Sequence, residues 1–270
     1  MQSIRRGRWL ARLGWGVYLG GLVATLWLIF LLLFMHSFFE GVTLEFPPTG
    51  LTLENYTQIT GQFFPALRLS LLLGLAAGLL NVVLAIPASF VLSRYEFRGK
   101  NLINAFLLAP NMVPAISLAL GLLALYSAVR LMDTFWGLTM ALSIITMPYM
   151  LRSVMSAFNE LDPALEEAAW TLGASRWRTF RLVLLPLIGP GVLAGLLLSF
   201  IIAFNEFTII IFLYGPRNLP ASVWLWNMLF MYGITPQFAA AVAIMQLVSF
   251  GVLYLLVGVI GRRYLQGVVF

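Results

Sequence analysis

Between Arg152 and Arg181 the sequence gathers four acidic residues (Glu160, Asp162, Glu166, Glu167) and four basic ones (Arg152, Arg176, Arg178, Arg181). Only 10% of the 270 residues are charged, and this cluster lies between two apolar stretches. Charge at that density is too costly to hold in hydrocarbon, so the segment must form a structured loop in water. Glu166, Glu167, Ala168, Ala169 and Gly173 lead on to Leu185-Pro186. The chemistry open to such a set is electrostatic docking of a partner rather than bond making.

Other chemistries lack their residues. There is no cysteine, which excludes a disulfide, a thiol nucleophile and a cysteine metal site. His36 is the sole histidine and has no clustered carboxylates, so no metal site is expected. A phosphate-binding loop needs Gly-x4-Gly-Lys-Ser/Thr. The single lysine, Lys100, follows Gly99, but Arg94 holds the first glycine position and Asn101 the hydroxyl position. No nucleotide site and no catalytic dyad is present, so the chain is not expected to be an enzyme and carries no cofactor of its own.

One further residue stands out. Glu206 is the only acidic residue deep in an apolar stretch, within Phe204-Asn205-Glu206-Phe207-Thr208. A charge near a bilayer centre costs about 2.5–3.5 kcal/mol on insertion scales, so Glu206 is expected to face a pore or a partner. It could meet a cationic solute, pair with an arginine across a subunit interface as a gate, or make a structural hydrogen bond as a neutral acid. Asn205 and Asn111 are secondary candidates for the same pathway, and each also suits a plain interhelical hydrogen bond.

The elements that must position these residues are membrane helices. Hydrophobic residues make up 61% of the chain and its mean hydropathy is +0.95. Six apolar spans are expected, at roughly 13–39, 66–93, 104–129, 135–158, 184–213 and 238–261, several exceeding the ~20 residues a crossing needs. Helices satisfy their own backbone hydrogen bonds, as a lipid environment demands. The net charge of +6 does not point to nucleic acid, because the basic residues sit at the ends of the spans. The N-terminal apolar run, from about Leu13 to Phe39, is too long for a cleaved signal peptide and reads as an uncleaved first helix.

Thirteen lysines and arginines fall on one side of this arrangement and only Arg68, Arg130 and Arg217 on the other. That asymmetry places both termini and the 159–182 loop in the cytoplasm. Outside, residues 40–65 carry Glu40, Glu45 and Glu54 with Pro47-Pro48, and residues 214–237 carry Tyr214, Trp224, Trp226 and Tyr232. The second of these reads as a re-entrant or interfacial segment, or as the lining of a solute path. Pro87, Pro110 and Pro114 break or hinge the second and third spans, each freeing a carbonyl one turn earlier. They also suit a tolerated kink satisfied by neighbouring helices.

Local rules shape the polar loop. Asp162-Pro163 is a helix start, with a capping acceptor followed by a residue whose missing N–H costs nothing. Glu166 and Glu167 fall where negative charge suits the helix dipole. Ala168 and Ala169 leave a surface that another protein can approach closely. Gly173 can end the helix in a left-handed conformation, Ser175 can cap a second short helix bearing Arg176, Trp177, Arg178 and Arg181, and Pro186 kinks it. A helix–turn–helix lying across the membrane face results; alone, it also suits a hairpin anchored to acidic membrane lipid.

From Thr146-Met147-Pro148-Tyr149 to Phe207 the chain resembles permeases of the binding-protein-dependent ABC importer family. The motif reads Glu167-Ala168-Ala169, Gly173, Val183, Leu185-Pro186, with Val183 where isoleucine is commoner, and the likeness extends from about Leu51 to Val257. The resemblance implies an all-α, type I importer permease of about six helices in a bacterial inner membrane. Its domain plan would be a cytoplasmic segment 1–12, a first helix and external loop 13–65, a permease core 66–261 and a cytoplasmic tail 262–270. Glu166, Glu167, Ala168, Ala169, Gly173, Leu185 and Pro186 would form the coupling loop, docked on two P-loop ATPase subunits that bind ATP and Mg. A second, related permease and an external solute-binding protein would complete the assembly.

Glu206 with Tyr214-Gly215-Pro216, Asn218-Leu219-Pro220 and Trp224 is similar to the spermidine/putrescine branch. The resemblance therefore implies polyamine import, with iron, phosphonate or an amino-acid-like solute as alternatives within the class. A stand-alone secondary transporter is the rival class; it would need repeat symmetry and an ion-coupling site, and it leaves the polar loop unexplained.

Overall fold

A computed structural model describes residues 2–41, 50–255 and 258. Most of these residues are helical, with two isolated β-bridges (Phe39–Leu51 and Gly215–Asn218) and no strand among them, as an all-α fold requires. In chain order the helices are α1 (Gln2–His36), α2 (Glu54–Gln58), α3 (Thr60–Arg94), α4 (Lys100–Leu108) and α5 (Ala115–Val129). Next come α6 (Phe135–Glu160), α7 (Ala164–Thr171), α8 (Arg176–Thr179), α9 (Leu185–Leu187) and α10 (Gly189–Asn205). The last are α11 (Ile210–Leu213), α12 (Ala221–Tyr232) and α13 (Pro236–Leu255). A 3-10 turn at Ala109–Asn111 follows α4, and a π turn at Phe180–Leu184 joins α8 to α9.

Among the described residues four helices are long and apolar enough to cross a membrane: Trp15–His36 of α1, α3, α6 and α13. The number reaches six if each of two bent pairs counts as one span. Two of the expected spans are bent. The expected third span, 104–129, folds by 99° between Asn111 and Ala115. Pro114 has no N–H to continue the helix, disfavours helical backbone at Val113, and itself adopts an extended ψ of 131°. The expected fifth span, 184–213, bends by 64° at Ile188 and breaks again at Glu206, whose ψ is 127°. The first span ends at His36 rather than Phe39, because Phe39 pairs with Leu51. The expected tail 262–270, the end of the sixth span and residues 42–49 lie outside the described residues.

Contacts divide the chain into two compact units, residues 1–61 with 227–247 and residues 62–226 with 248–270. The first is held by a polar knot. Asn55 donates to the carbonyls of Ser37 and Phe39, and Gln237 donates to the side chains of Asn55 and Gln58. His36 is buried there, with Nε2 3.3 Å from the Ile234 carbonyl.

The second unit is built around α6. One apolar cluster joins Leu73 of α3, Leu122 of α5, Leu138 and Leu142 of α6 and Leu213 of α11. Another joins Ala85 and Leu92 of α3, Met150, Val154 and Phe158 of α6, and Leu184 and Ile188. Between α6 and α10 the backbones approach closely because glycine leaves room. A Cβ on Gly191 would stand 2.5 Å from Ala157 Cβ and 3.0 Å from the Ser153 carbonyl oxygen. Between α3 and α6, Asn81 donates to Thr146 Oγ1 at 2.8 Å and to the Ser143 carbonyl at 3.2 Å, and the Ser143 hydroxyl donates back to Asn81 Oδ1. That network satisfies polar groups where lipid and apolar side chains offer no partner.

Candidate functional site

The polar loop is a hairpin whose every bend has a local cause. Asp162 Oδ1 accepts the Ala164 N–H at 2.9 Å, so it caps the orphan donors of α7 from just before Pro163. At the other end Gly173 has a φ of 83°. Its N–H donates to the Trp170 carbonyl and that of Ala174 to the Ala169 carbonyl, the paired closure of a Schellman turn. Ser175 Oγ then accepts the Arg178 N–H at 3.3 Å and starts α8. Before Pro186 the chain runs through the π turn, and Pro186 and Leu185 are both exposed on its far side.

The two adjacent glutamates take different environments. Glu166 is 8% exposed and its Oε1 lies 2.6 Å from Arg94 Nε, at the end of α3. The N–H is not aligned on that oxygen, so the contact is an ion pair rather than a directed hydrogen bond. Arg94 also donates from Nη2 to the carbonyl of Leu161, the residue that ends α6. Glu167 is exposed, as are Ala168, Leu172 and Gly173, while Ala169 is half-buried. Leu172 is 89% exposed and Trp177 70% exposed, so the hairpin presents apolar side chains beside Glu167. The Arg94 partner escapes sequence reading, since nothing local links the end of α3 to the first turn of α7.

Beneath the hairpin lies a groove of about 320 Å³ walled by Pro87, Phe90, Trp170, Trp177, Phe180 and Leu184. Phe90 of α3 is the aromatic hub: its ring sits 5.4 Å from Phe180, 5.7 Å from Phe158 and 5.8 Å from Tyr95. Trp177 stacks on Phe180 at 5.8 Å.

The pathway candidates are less concentrated. Glu206 is half-buried at the gap between α10 and α11, where its Oε1 accepts the Ile209 N–H at 2.8 Å. Its carbonyl accepts the Ser222 hydroxyl at 2.7 Å. Asn205 is exposed, and its amide bonds back to the Ile201 carbonyl. Asn111 is exposed at the other break, beside the 99° bend. Trp224 is 7% exposed and packs on Phe63 with centroids 5.1 Å apart. Asp133 is a residue that sequence reading passed over. Its carboxylate accepts the backbone N–H groups of Arg217 and Asn218, and its carbonyl accepts the Asn218 amide, which fixes the Gly215–Pro220 loop.

Comparison with known proteins gives this arrangement a context. Residues 81–266 match the family described as binding-protein-dependent transport system inner membrane component. A sulfate transport system permease protein of Escherichia coli (strain K12) is 32% identical over 166 residues, 57% of this chain, and the match spans 60% of that protein's length. A spermidine/putrescine transport system permease protein of Haemophilus influenzae is 35% identical over 182 residues, covering 67% of this chain and 69% of that protein. In three dimensions the chain is similar to a chain of a bacterial ABC transporter involved in the import of the acidic polysaccharide alginate. The TM-score is 0.67 at 16% identity, over 98% of each chain, which is a likeness of fold.

Proposed function

Because the chain belongs to the binding-protein-dependent transport system inner membrane component family, we propose that it is the membrane subunit of an ATP-driven importer in a bacterial inner membrane. The observation that carries this reading is the capped hairpin, with Glu167 and Ala168 exposed on one short helix and Leu172 and Gly173 exposed in the turn that closes it. A charged residue beside small and apolar ones, on a helix fixed at both ends, suits docking into a groove of an ATPase. Two such ATPases, holding ATP and Mg, supply the energy. A second, related permease completes the pathway and an external binding protein delivers the solute. ATP binding closes the ATPase pair and moves the hairpin; the spans then open outward, and hydrolysis resets them.

The solute we assign is a polyamine of the spermidine/putrescine kind. Support comes from the 35% identity to the spermidine/putrescine relative and from Glu206, an acid at a helix break within the apolar chain. The sulfate relative favours a second reading, an oxyanion importer in which Glu206 only caps α11. The two readings part in one experiment: uptake of labelled spermidine, putrescine and sulfate by transport-deficient cells with and without this gene. Gene-dependent polyamine uptake that needs ATP and fails in Glu167→Lys supports the first reading. Sulfate uptake with the same dependence replaces it, and no uptake of any probe together with no copurifying P-loop ATPase removes the importer assignment.

A further inference from the structure

Arg94 touches three elements at once. It is the last residue of α3, it donates to the carbonyl that closes α6, and it pairs with Glu166 in the first turn of α7. The pair is largely withdrawn from water, with side-chain exposures of 13% for Arg94 and 11% for Glu166. Each partner also lies at a favourable helix end, a cation at the C-terminus of α3 and an anion at the N-terminus of α7. A second set of contacts runs alongside: Phe90, one turn before Arg94, packs on Phe180, which stacks on Trp177 of the hairpin. Pro87 lies inside α3 just before these residues, and its missing N–H leaves a joint two turns from the helix end.

We propose that the Arg94–Glu166 pair is the link through which displacement of the α7 hairpin moves α3, with Arg94 as the positioning residue and Glu167, on the exposed side, left free for the ATPase. The inference rests on the importer reading and adds to it a division of labour between two adjacent glutamates. A salt bridge confined to the surface would not serve. Lys100 and Glu96 approach to 2.6 Å as well, but Glu96 is 89% exposed and lies only four residues before Lys100 in the loop that leads into α4, so the pair fixes no distant element.

The test uses the full chain in its copurifying complex, ATPase and second permease included, in proteoliposomes supplied with the external binding protein and with labelled spermidine or sulfate, whichever the parent complex accumulates. Arg94→Gln and Glu166→Gln should each retain the ATPase while uptake per ATP hydrolysed falls about tenfold. The reversed pair Arg94→Glu/Glu166→Arg should recover much of the loss, and Lys100→Gln should match the parent. Single variants with parental coupling, or a reversed pair no better than the singles, overturn the proposal. If Arg94→Gln does not accumulate, Arg94→Lys decides. It keeps the charge but cannot also hold Leu161, so coupling between parent and null supports the link, and parental coupling overturns it. Amide hydrogen exchange reads the same link without a partner. Residues 164–172 should exchange about tenfold faster in Arg94→Gln, and unchanged exchange overturns the pairing. If the parent chain binds no ATPase while Arg94→Gln still shows this faster exchange, the importer reading fails and the α3–α7 link stands.

Discussion

Glu166 and Glu167 are neighbours on one turn of α7, yet Glu166 is held at 2.6 Å from Arg94 while Glu167 lies exposed. A helix turns about 100° per residue, so adjacent side chains cannot share a face. The consequence is that equal charges in sequence have unequal parts to play. One fixes the hairpin to the body of the chain, and the other is available to a partner.

The first prediction concerns Glu167. Glu167→Lys reverses a charge that no other residue of this chain engages, among those described, so insertion and folding should be unaffected. Copurification of the ATPase should fall about tenfold or more, the loss expected when a charge at an interface is inverted. Parental recovery of the ATPase by this variant would show that docking uses another surface.

A second prediction follows from the turn that closes α7. Gly173 holds a φ of 83°, and no atom lies within 4 Å of where its Cβ would be, so space is not the constraint. Backbone conformation is. Gly173→Val should destabilise the hairpin by about 1–2 kcal/mol, whereas Gly173→Asn, which tolerates the left-handed region, should be nearly neutral. Limited proteolysis at 172–176 compares the two directly, and equal sensitivity would argue that the turn is not held by its backbone.

These local devices are the part of the site that can be read in the sequence. Asp162, Gly173 and Ser175 act on N–H and C=O groups within a few residues, so residue type and spacing suffice to place them. The Pro114 break is legible for the same reason. The angle of that break is not, because it depends on what α4 and α5 pack against. Nor is the Arg94–Glu166 pair, whose members are separated by all of α4, α5 and α6. The contact of Trp224 with Phe63 is not legible either, because composition gives no direction to a side chain.

The seam between α6 and α10 gives a third prediction. At Gly191 an added Cβ meets the Ala157 Cβ at 2.5 Å and backbone at 3.0 Å, neither of which can rotate away. Gly191→Ala should therefore part the two helices and cost about 1–3 kcal/mol, as overpacking does. Gly121→Ala, with open space around its Cβ, is the matched control. The midpoint of thermal unfolding in detergent should drop for the first and hold for the second.

Asn81 offers a fourth. Its amide donates to Thr146 Oγ1 and the Ser143 carbonyl and accepts from the Ser143 hydroxyl, all buried between α3 and α6. Asn81→Ala strands those groups, though Thr146 keeps its bond to the Leu142 carbonyl. The expected loss is about 0.6–1.7 kcal/mol, the range for interhelical hydrogen bonds in membranes. Thr146→Val in the Asn81→Ala background should then add little, and fully additive losses would mean that the two residues do not act as one network.

Glu206 combines two roles that one substitution cannot separate but two can. Its carboxylate caps the gap before α11 by accepting the Ile209 N–H, a task that needs an oxygen acceptor and not a charge. A glutamine in its place still offers that oxygen. Glu206→Gln should therefore keep the thermal midpoint of the parent, while Glu206→Ala should lose the cap and about 0.5–2 kcal/mol with it. If the charge meets a cationic solute, Glu206→Gln should raise the KM for spermidine about tenfold, with ATPase docking unchanged. Equal uptake by parent and Glu206→Gln would confine the residue to its cap, and the acid at this break would then say nothing about which solute passes.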